Sequence, residues 1–553
     1  LQPYFLAALQ VEKMETVTKL LEQPLLLSES LAHPAATVSL LLFVALFLYW
    51  YGTRGFADLK KLNVPGPKPI PFLGNFLEAR KYNGIYQMHL AFLKKYGKVF
   101  TICLGGRPSL VVADPELLKQ IMVKDFPNFR NRFQFQKPVN KTLAQNVASS
   151  RDDKWKRIRN TLTPTFSAGK LKLMTPLVEK LCDTLLEKLE KITDSGELHS
   201  VESSKTNRVN GNANKKLILL LLFFTDQSVD MLDWFSKMTL EVILATAFGV
   251  DAKIQTGENS EMLREAKKLF HVPFFLRQIA RLPFGDAILR LLLVLNGSDV
   301  NYFERIGREM LNSRRHQGQT NRKDLLQLMM TATDETTDEG VSRLSDDEVV
   351  AQSFIFLLAG YETSSNTLSF TVYHLACNPD VQDKLRLEIA DALDTNGGEK
   401  ALYEIAQSIE FLDCVIKESQ RLCPPLPHLN RECQKDFDLN GIHIPAGTEI
   451  VIPVYALHHD PEAWEDPEKF DPERFRGARK DAHHPFQFLP FGAGPRNCIG
   501  MRFALLEIKI ALVKILMKYK FVRSPETQVP LVLHDGATMT AKDGVVVRVE
   551  SVQ

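Results

Sequence analysis

The 553-residue chain has no CxxC pair and no dense cysteine framework. Its seven cysteines, Cys103, Cys182, Cys377, Cys414, Cys423, Cys433 and Cys498, are scattered and odd in number. That speaks against a zinc ribbon and against a disulfide-stapled secreted fold, and it fits a reducing compartment. Net charge is nearly absent: 68 basic against 66 acidic residues leave +2, so the overall balance gives no ground for nucleic-acid binding. No Gly-rich nucleotide fingerprint is present. What remains is an ordinary globular composition, 45% hydrophobic and 24% charged, in a chain long for one core.

Lys, Arg, Asp and Glu are missing altogether from Ser30 to Thr53, and the densest part, Val38 to Tyr51, reads VSLLLFVALFLYWY. A run of roughly 20 apolar residues spans a bilayer as a helix. The Tyr49-Trp50-Tyr51 cluster suits an interface, and Arg54, Lys60 and Lys61 follow it, which places the following body in the cytosol. The expected order is therefore a lumenal segment at 1–33, a transmembrane anchor at 34–53 and a basic, Pro-rich linker at 54–71. The first methionine is Met14, and residues 1–13 are read as foreign to the native mature chain.

The linker carries Val64-Pro-Gly-Pro-Lys-Pro-Ile-Pro71, which resists helix and reads as a stiff hinge. Val99 to Leu104 and Ser109 to Ala113 flank a Gly-Gly-Arg-Pro turn as a hairpin, and Asn440-Gly441 marks a second. Helical periodicity dominates elsewhere, with helices expected at Asp346 to Tyr373, Pro379 to Leu393, Glu410 to Leu422 and Met501 to Lys518. The class is mostly α with small β-sheets. A polar stretch followed by KKLILLLLFF, about 197–227, reads as an atypical insertion, since eight apolar residues do not span a bilayer.

The most specific signal is Phe491-Gly-Ala-Gly-Pro-Arg-Asn-Cys498-Ile-Gly500. A cysteine thiolate donates strongly to iron and favours O–O cleavage. Gly492, Gly494 and Gly500 allow a tight loop, and the helix starting near Gly500 would lower the thiol pKa. Arg496 offers a guanidinium to an anion, and Phe491 packs over the loop.

This loop resembles the haem-binding signature of the cytochrome P-450 superfamily, of microsomal type. The resemblance runs from about Val64 to the C-terminus, apart from the insertion. It implies haem b ligated by Cys498 in a haem-binding catalytic domain at 72–553, with the family's fold. Glu418 and Arg421 match its ExxR pair, and Arg474, within Phe470-Asp-Pro-Glu-Arg-Phe475, completes that buried network. Trp155 and Arg159 (a WxxxR pair one helical turn apart), Arg132 and Arg431 match propionate contacts.

Within the long helix, Ala359-Gly360-Tyr361-Glu362-Thr363-Ser364 resembles the oxygen-activation groove. There the resemblance implies a kinked helix, with Thr363 hydrogen-bonding the oxygen and Glu362 helping to deliver protons. It also implies an NADPH-dependent flavoprotein reductase, with cytochrome b5 as a second partner. Lys154, Lys156, Arg157, Arg476, Arg479, Lys480 and Arg502 are candidates for a basic docking face. The implied location is the endoplasmic reticulum membrane, single-pass, with the catalytic domain in the cytosol.

The C-terminal half resembles both the drug- and steroid-oxidising group and thromboxane-A synthase. Ala456 to Glu462 and Pro525 to Leu531 look especially like the latter, an isomerase of prostaglandin endoperoxides that lacks the groove threonine. Retention of Glu362-Thr363 favours a monooxygenase acting on an apolar substrate: a steroid, fatty acid or xenobiotic. Phe133, Phe135 and Phe270 to Phe275 are expected near its pocket. His458 and His459 are read as structural rather than as a zinc pair. A non-catalytic haem sensor is the alternative from another class, and the thiolate loop together with Glu362-Thr363 argues against it.

Overall fold

A computed structural model describes residues 34–134, 140–195, 228–258, 260–270, 285, 287–288, 291, 301–316, 324–334, 344–395, 401–536 and 538–552. Residues 1–33, the expected insertion, Phe135 and most of the Phe270 to Phe275 segment lie outside them. Pro34–Thr53 forms α1 and Phe56–Leu62 forms α2. Among the described residues, the side chains of α1 from Val38 to Trp50 are exposed, Phe43 and Leu46 each by 67%. This stretch is long and apolar enough to cross a membrane.

The Pro-rich stretch, read as a stiff hinge, is tied to its neighbours by hydrogen bonds. The Phe72 amide donates to the Gly52 carbonyl at 3.2 Å, so the end of α1 is tied to the chain beyond the prolines. Tyr51 packs against the Phe72 ring at 6.5 Å. The segment between lies against the body, where the Thr101 amide donates to the Pro65 carbonyl at 2.9 Å. It is a strap across a sheet edge.

That sheet contains β1 (Val99–Leu104), β2 (Arg107–Val112), β3 (Leu429–Glu432) and, beyond the short hairpin of β4 (Phe437–Leu439) and β5 (Ile442–Ile444), β6 (Glu449–Ile452). The order is β1-β2-β6-β3, antiparallel except for β2 with β6, where Leu110 faces Ile450. Both expected hairpins form, the second with Phe437 opposite Ile444. The apolar face of the sheet makes one core with Phe92, Phe100 and Ile450.

A larger helical core carries the rest. Its main elements are α3 (Asp152–Leu162), α4 (Ala168–Ser195), α5 (Met231–Phe248), α6 (Asp346–Cys377), α7 (Glu410–Leu422) and α8 (Met501–Lys518). The Ser345 hydroxyl accepts from the Glu348 amide while the Glu348 carboxylate accepts from the Ser345 amide. This capping box satisfies two amides that a helix start would otherwise leave bare. The expectation of Tyr373 as the last residue of α6 falls short by four positions, because apolar burial continues through Leu375 and Ala376. The ends of α7 and α8 are as expected, with Pro424 and Pro425 following the stop of α7.

Candidate functional site

A cavity of about 370 Å³ opens between α6, the start of α8 and the 490–500 loop, and most of its lining is apolar. Phe166, Ile243, Phe356 and Phe503 contribute walls, and Cys498, Phe491 and Thr363 face the same space. The Cys498 thiol is exposed to the cavity while protein surrounds it on its other sides.

The loop is shaped by close approaches. Gly492 and Gly494 have φ of +68° and +69°, and a Cβ on Gly494 would overlap the Met122 carbonyl oxygen. Gly500 is different: its φ is −89°, and its nearest neighbour to an added Cβ is Phe166 at 3.9 Å. The expected need for glycine therefore holds at two of the three positions. The Cys498 amide donates to the Phe491 carbonyl at 2.9 Å and closes the loop.

The start of α8 lowers the thiol pKa through the Gly500 amide, as expected, but the net direction is up. Burial raises it, and the Gly500 amide, Arg132 and Arg159 only partly pull it back. A metal ion bound here would supply the charge that this environment withholds, since a ligating thiol is deprotonated outright.

Arg132, Arg159, Arg431 and Arg496 all line the cavity with Trp155. Among the described residues none of the four has a carboxylate partner. Burial and the neighbouring guanidinium groups push Arg496 down to about 8, and burial with Arg132 pushes Arg431 down to about 9. Guanidinium groups do not in practice release their protons. Four of them in one low-dielectric wall therefore call for negative charge. Trp155 Nε1 and Arg431 Nε are buried without a hydrogen-bond partner. The cavity thus fits a largely apolar group with anionic substituents and a thiophilic metal.

Two of the arginines also have structural duties that sequence reading missed. Arg159 forks onto the Asn497 carbonyl and side-chain oxygen, both at 2.7 Å, one residue from Cys498. Arg496 donates to the carbonyls of Arg130, Val147 and Ser150, at 2.9, 3.3 and 2.7 Å, and lies over the Trp155 ring at 4.3 Å.

On α6, the Thr363 hydroxyl reaches back to the Ala359 carbonyl at 2.6 Å. Gly360 lets Ile243 of α5 come close, with Cδ1 2.9 Å from where a Cβ would sit. Thr239 donates to the Tyr361 carbonyl at 2.9 Å, bracing the two helices together. Glu362 is buried but does not line the cavity, so the expected acid and hydroxyl pair does not face one space. Phe133 does not line it either.

The second expected cluster is assembled. Glu418 and Arg421 are both 0% exposed and share two hydrogen bonds of 2.8 Å. Arg421 also donates to the carbonyls of His458, Pro467 and Lys469. Arg474 Nε lies 3.4 Å from the same carboxylate. His458 is structural, as expected: Nε2 accepts from the Leu489 amide at 2.9 Å, so Nδ1 carries the proton towards the Arg421 carbonyl. No metal-holding cluster of His, Cys, Asp and Glu occurs among the described residues.

The expected basic face is largely neutralised. Arg157 and Lys154 pair with Glu348, Arg476 with Glu388 and Glu410, and Arg479 with Asp471. Lys156, Lys480 and Arg502 remain as exposed cations.

The site is thus a cysteine loop under an apolar helix, backed by a buried Glu-Arg-Arg network. The Cytochrome P450 family model matches residues 64–548, and the chain belongs to that family. It is similar to cytochrome P450 3A11 of Mus musculus, 38% identical over 92% of this chain and 95% of the relative. It is also 38% identical to cytochrome P450 3A7 of Homo sapiens, over 93% of this chain and 96% of that one. The chain is accordingly a monooxygenase-class oxidoreductase. The family implies haem with a cysteine thiolate ligand, a redox partner and a small-molecule substrate. The comparisons do not favour the isomerase or sensor alternatives.

Proposed function

We propose that Cys498 would ligate the iron of haem b held in the cavity beneath α6, and that the chain inserts one oxygen atom from O2 into an apolar substrate, a steroid, fatty acid or xenobiotic. The observation that carries this is one mostly apolar cavity bordered by the Cys498 thiol, four guanidinium groups without carboxylate partners among the described residues, and the Thr363 hydroxyl. When bound, haem supplies the oxygen-activating redox chemistry. Arg132, Arg431 and Trp155 would face its carboxylates, with Arg159 and Arg496 adding charge while they hold the loop.

Insertion of oxygen into a C–H bond consumes O2, two electrons and two protons and yields an alcohol and water. The chain's share of that work is to exclude water with Phe166, Phe356 and Phe503, to orient the substrate, and to position protons. Thr363 offers a hydroxyl at the cavity wall, and Glu362 is a buried acid beside it in sequence. Glu418, Arg421 and Arg474 lock the fold behind the loop and touch no reactant.

The electrons come from an NADPH-dependent flavoprotein reductase, with cytochrome b5 as an auxiliary donor. Lys156, Lys480 and Arg502 are the unneutralised part of the docking face. The setting is the endoplasmic reticulum, with 1–33 lumenal, 34–53 crossing once and 72–553 as a cytosolic catalytic domain interrupted at about 197–227.

The test uses purified, haem-loaded protein. The reduced, carbon-monoxide-bound form gives the thiolate spectrum, and Cys498→Ser loses it while keeping the helical circular-dichroism signal. Product then forms only with NADPH and reductase. Conversion of a prostaglandin endoperoxide without NADPH would overturn the monooxygenase reading.

A further inference from the structure

Behind the cavity wall lies a carboxyl group that nothing above uses. Glu507 sits in α8 within Leu505-Leu-Glu-Ile-Lys-Ile510 and is 1% exposed. It does not line the cavity, although Phe503, Ala504 and Ile508 of the same helix do. The polar side chain acting on it is Ser364 of α6. Ser364 does line the cavity, one residue after Thr363. The contact is not a well-aligned hydrogen bond, for the Ser364 hydroxyl and both Glu507 oxygens are otherwise without partners. From α4, the Cys182 thiol also faces Glu507 and stays neutral in its apolar surroundings. Lys509, two positions along α8, turns away to Asp413 at 2.7 Å. Among the described residues no cation compensates Glu507, so burial raises its pKa to about 8 and it carries a proton at neutral pH.

We propose that Glu507 stores a proton and that Ser364 relays it to the cavity, giving the reaction a proton source separate from Glu362. In this step the Glu507 carboxyl gives its proton to the Ser364 oxygen. The original Ser364 proton passes to a water or oxygen atom in the cavity. Glu507 is left as a carboxylate, and the reverse relay from cavity water restores it. No electron moves. Glu507 is thus a positioning residue acting through Ser364, and the idea rests on the monooxygenase reading.

The experiment begins with infrared spectroscopy of the haem-loaded full chain. A protonated-carboxyl band is expected below pH 8, lost above it and absent from Glu507→Gln. Product formed per NADPH is then followed against pH. In the wild type it should fall as Glu507 ionises, whereas in Glu507→Gln and Ser364→Ala it should start lower and lose that step. Absence of the band, or an unchanged pH step in Ser364→Ala, would overturn the relay. If Glu507→Gln does not accumulate, the infrared titration and Ser364→Ala decide the matter alone. Loss of the thiolate spectrum would signal failure of the monooxygenase reading instead, and the infrared band is independent of it.

Discussion

Arg421 meets Glu418 through two parallel hydrogen bonds of 2.8 Å, with neither side chain exposed to solvent. Three carbonyls, of His458, Pro467 and Lys469, take the remaining donor capacity. Removing one member of such a pair leaves the other charge buried, which costs about 3–5 kcal/mol. Glu418→Gln and Arg421→Lys should both lower the unfolding free energy measured in urea, the former by about that much. Lysine fails because its three donors do not reproduce the planar fork.

The glycines of the cysteine loop should separate cleanly. Gly494→Ala must accept a left-handed backbone and a clash with the Met122 carbonyl, and should cost about 2–5 kcal/mol. Gly500→Ala has an ordinary φ and open space, and should change stability by less than about 1 kcal/mol. Thermal unfolding of the two variants checks the contrast.

The arginine wall should give opposite signs with and without haem. Arg431→Met removes one of several like charges, so the haem-free protein should melt higher than the haem-free wild type. It also removes a charge-assisted contact, so transfer of haem to a scavenging protein should be about 10–100-fold faster. The two measurements together distinguish an anion-binding wall from a merely structural one.

Glu507 makes stability depend on pH. Its folded pKa of about 8 lies above the ordinary 4.5, so the folded state holds the proton more tightly. Stability therefore falls as pH rises from about 4.5 to 8, and the full penalty, a few kcal/mol at most, is present above pH 8. Chemical denaturation of Glu507→Gln against wild type should show the gap opening over that window.

Much of this was legible in the chain itself because the informative residues are bound to local geometry. The α7 stop follows from two prolines, the second hairpin from Asn440-Gly441, and the loop from glycines flanking Cys498. The Ser345 capping box emerged only from the structure, where Ser345 and Glu348 exchange hydrogen bonds. What was not legible depends on three-dimensional neighbours. Glu362 and Thr363 are adjacent in sequence, yet only Thr363 faces the cavity. Two of the cations expected as a docking face, Arg157 and Arg476, meet Glu348 and Glu388, which are distant in sequence. Glu507 was visible as an acid in an apolar helix, but its link to the cavity runs through Ser364, over 140 residues away.

The tie between Gly52 and Phe72 has a consequence for encounters. A globule on a loose tether tumbles, and each meeting with a partner must recover the lost orientation. Here the end of α1 is clasped to the body, so that rotational freedom is surrendered once, during folding, and need not be given up at every collision. For a helix held in a bilayer, the cavity keeps a constant heading relative to the lipid plane. Molecules dissolved in that plane then approach it at a fixed attitude, in two dimensions rather than three.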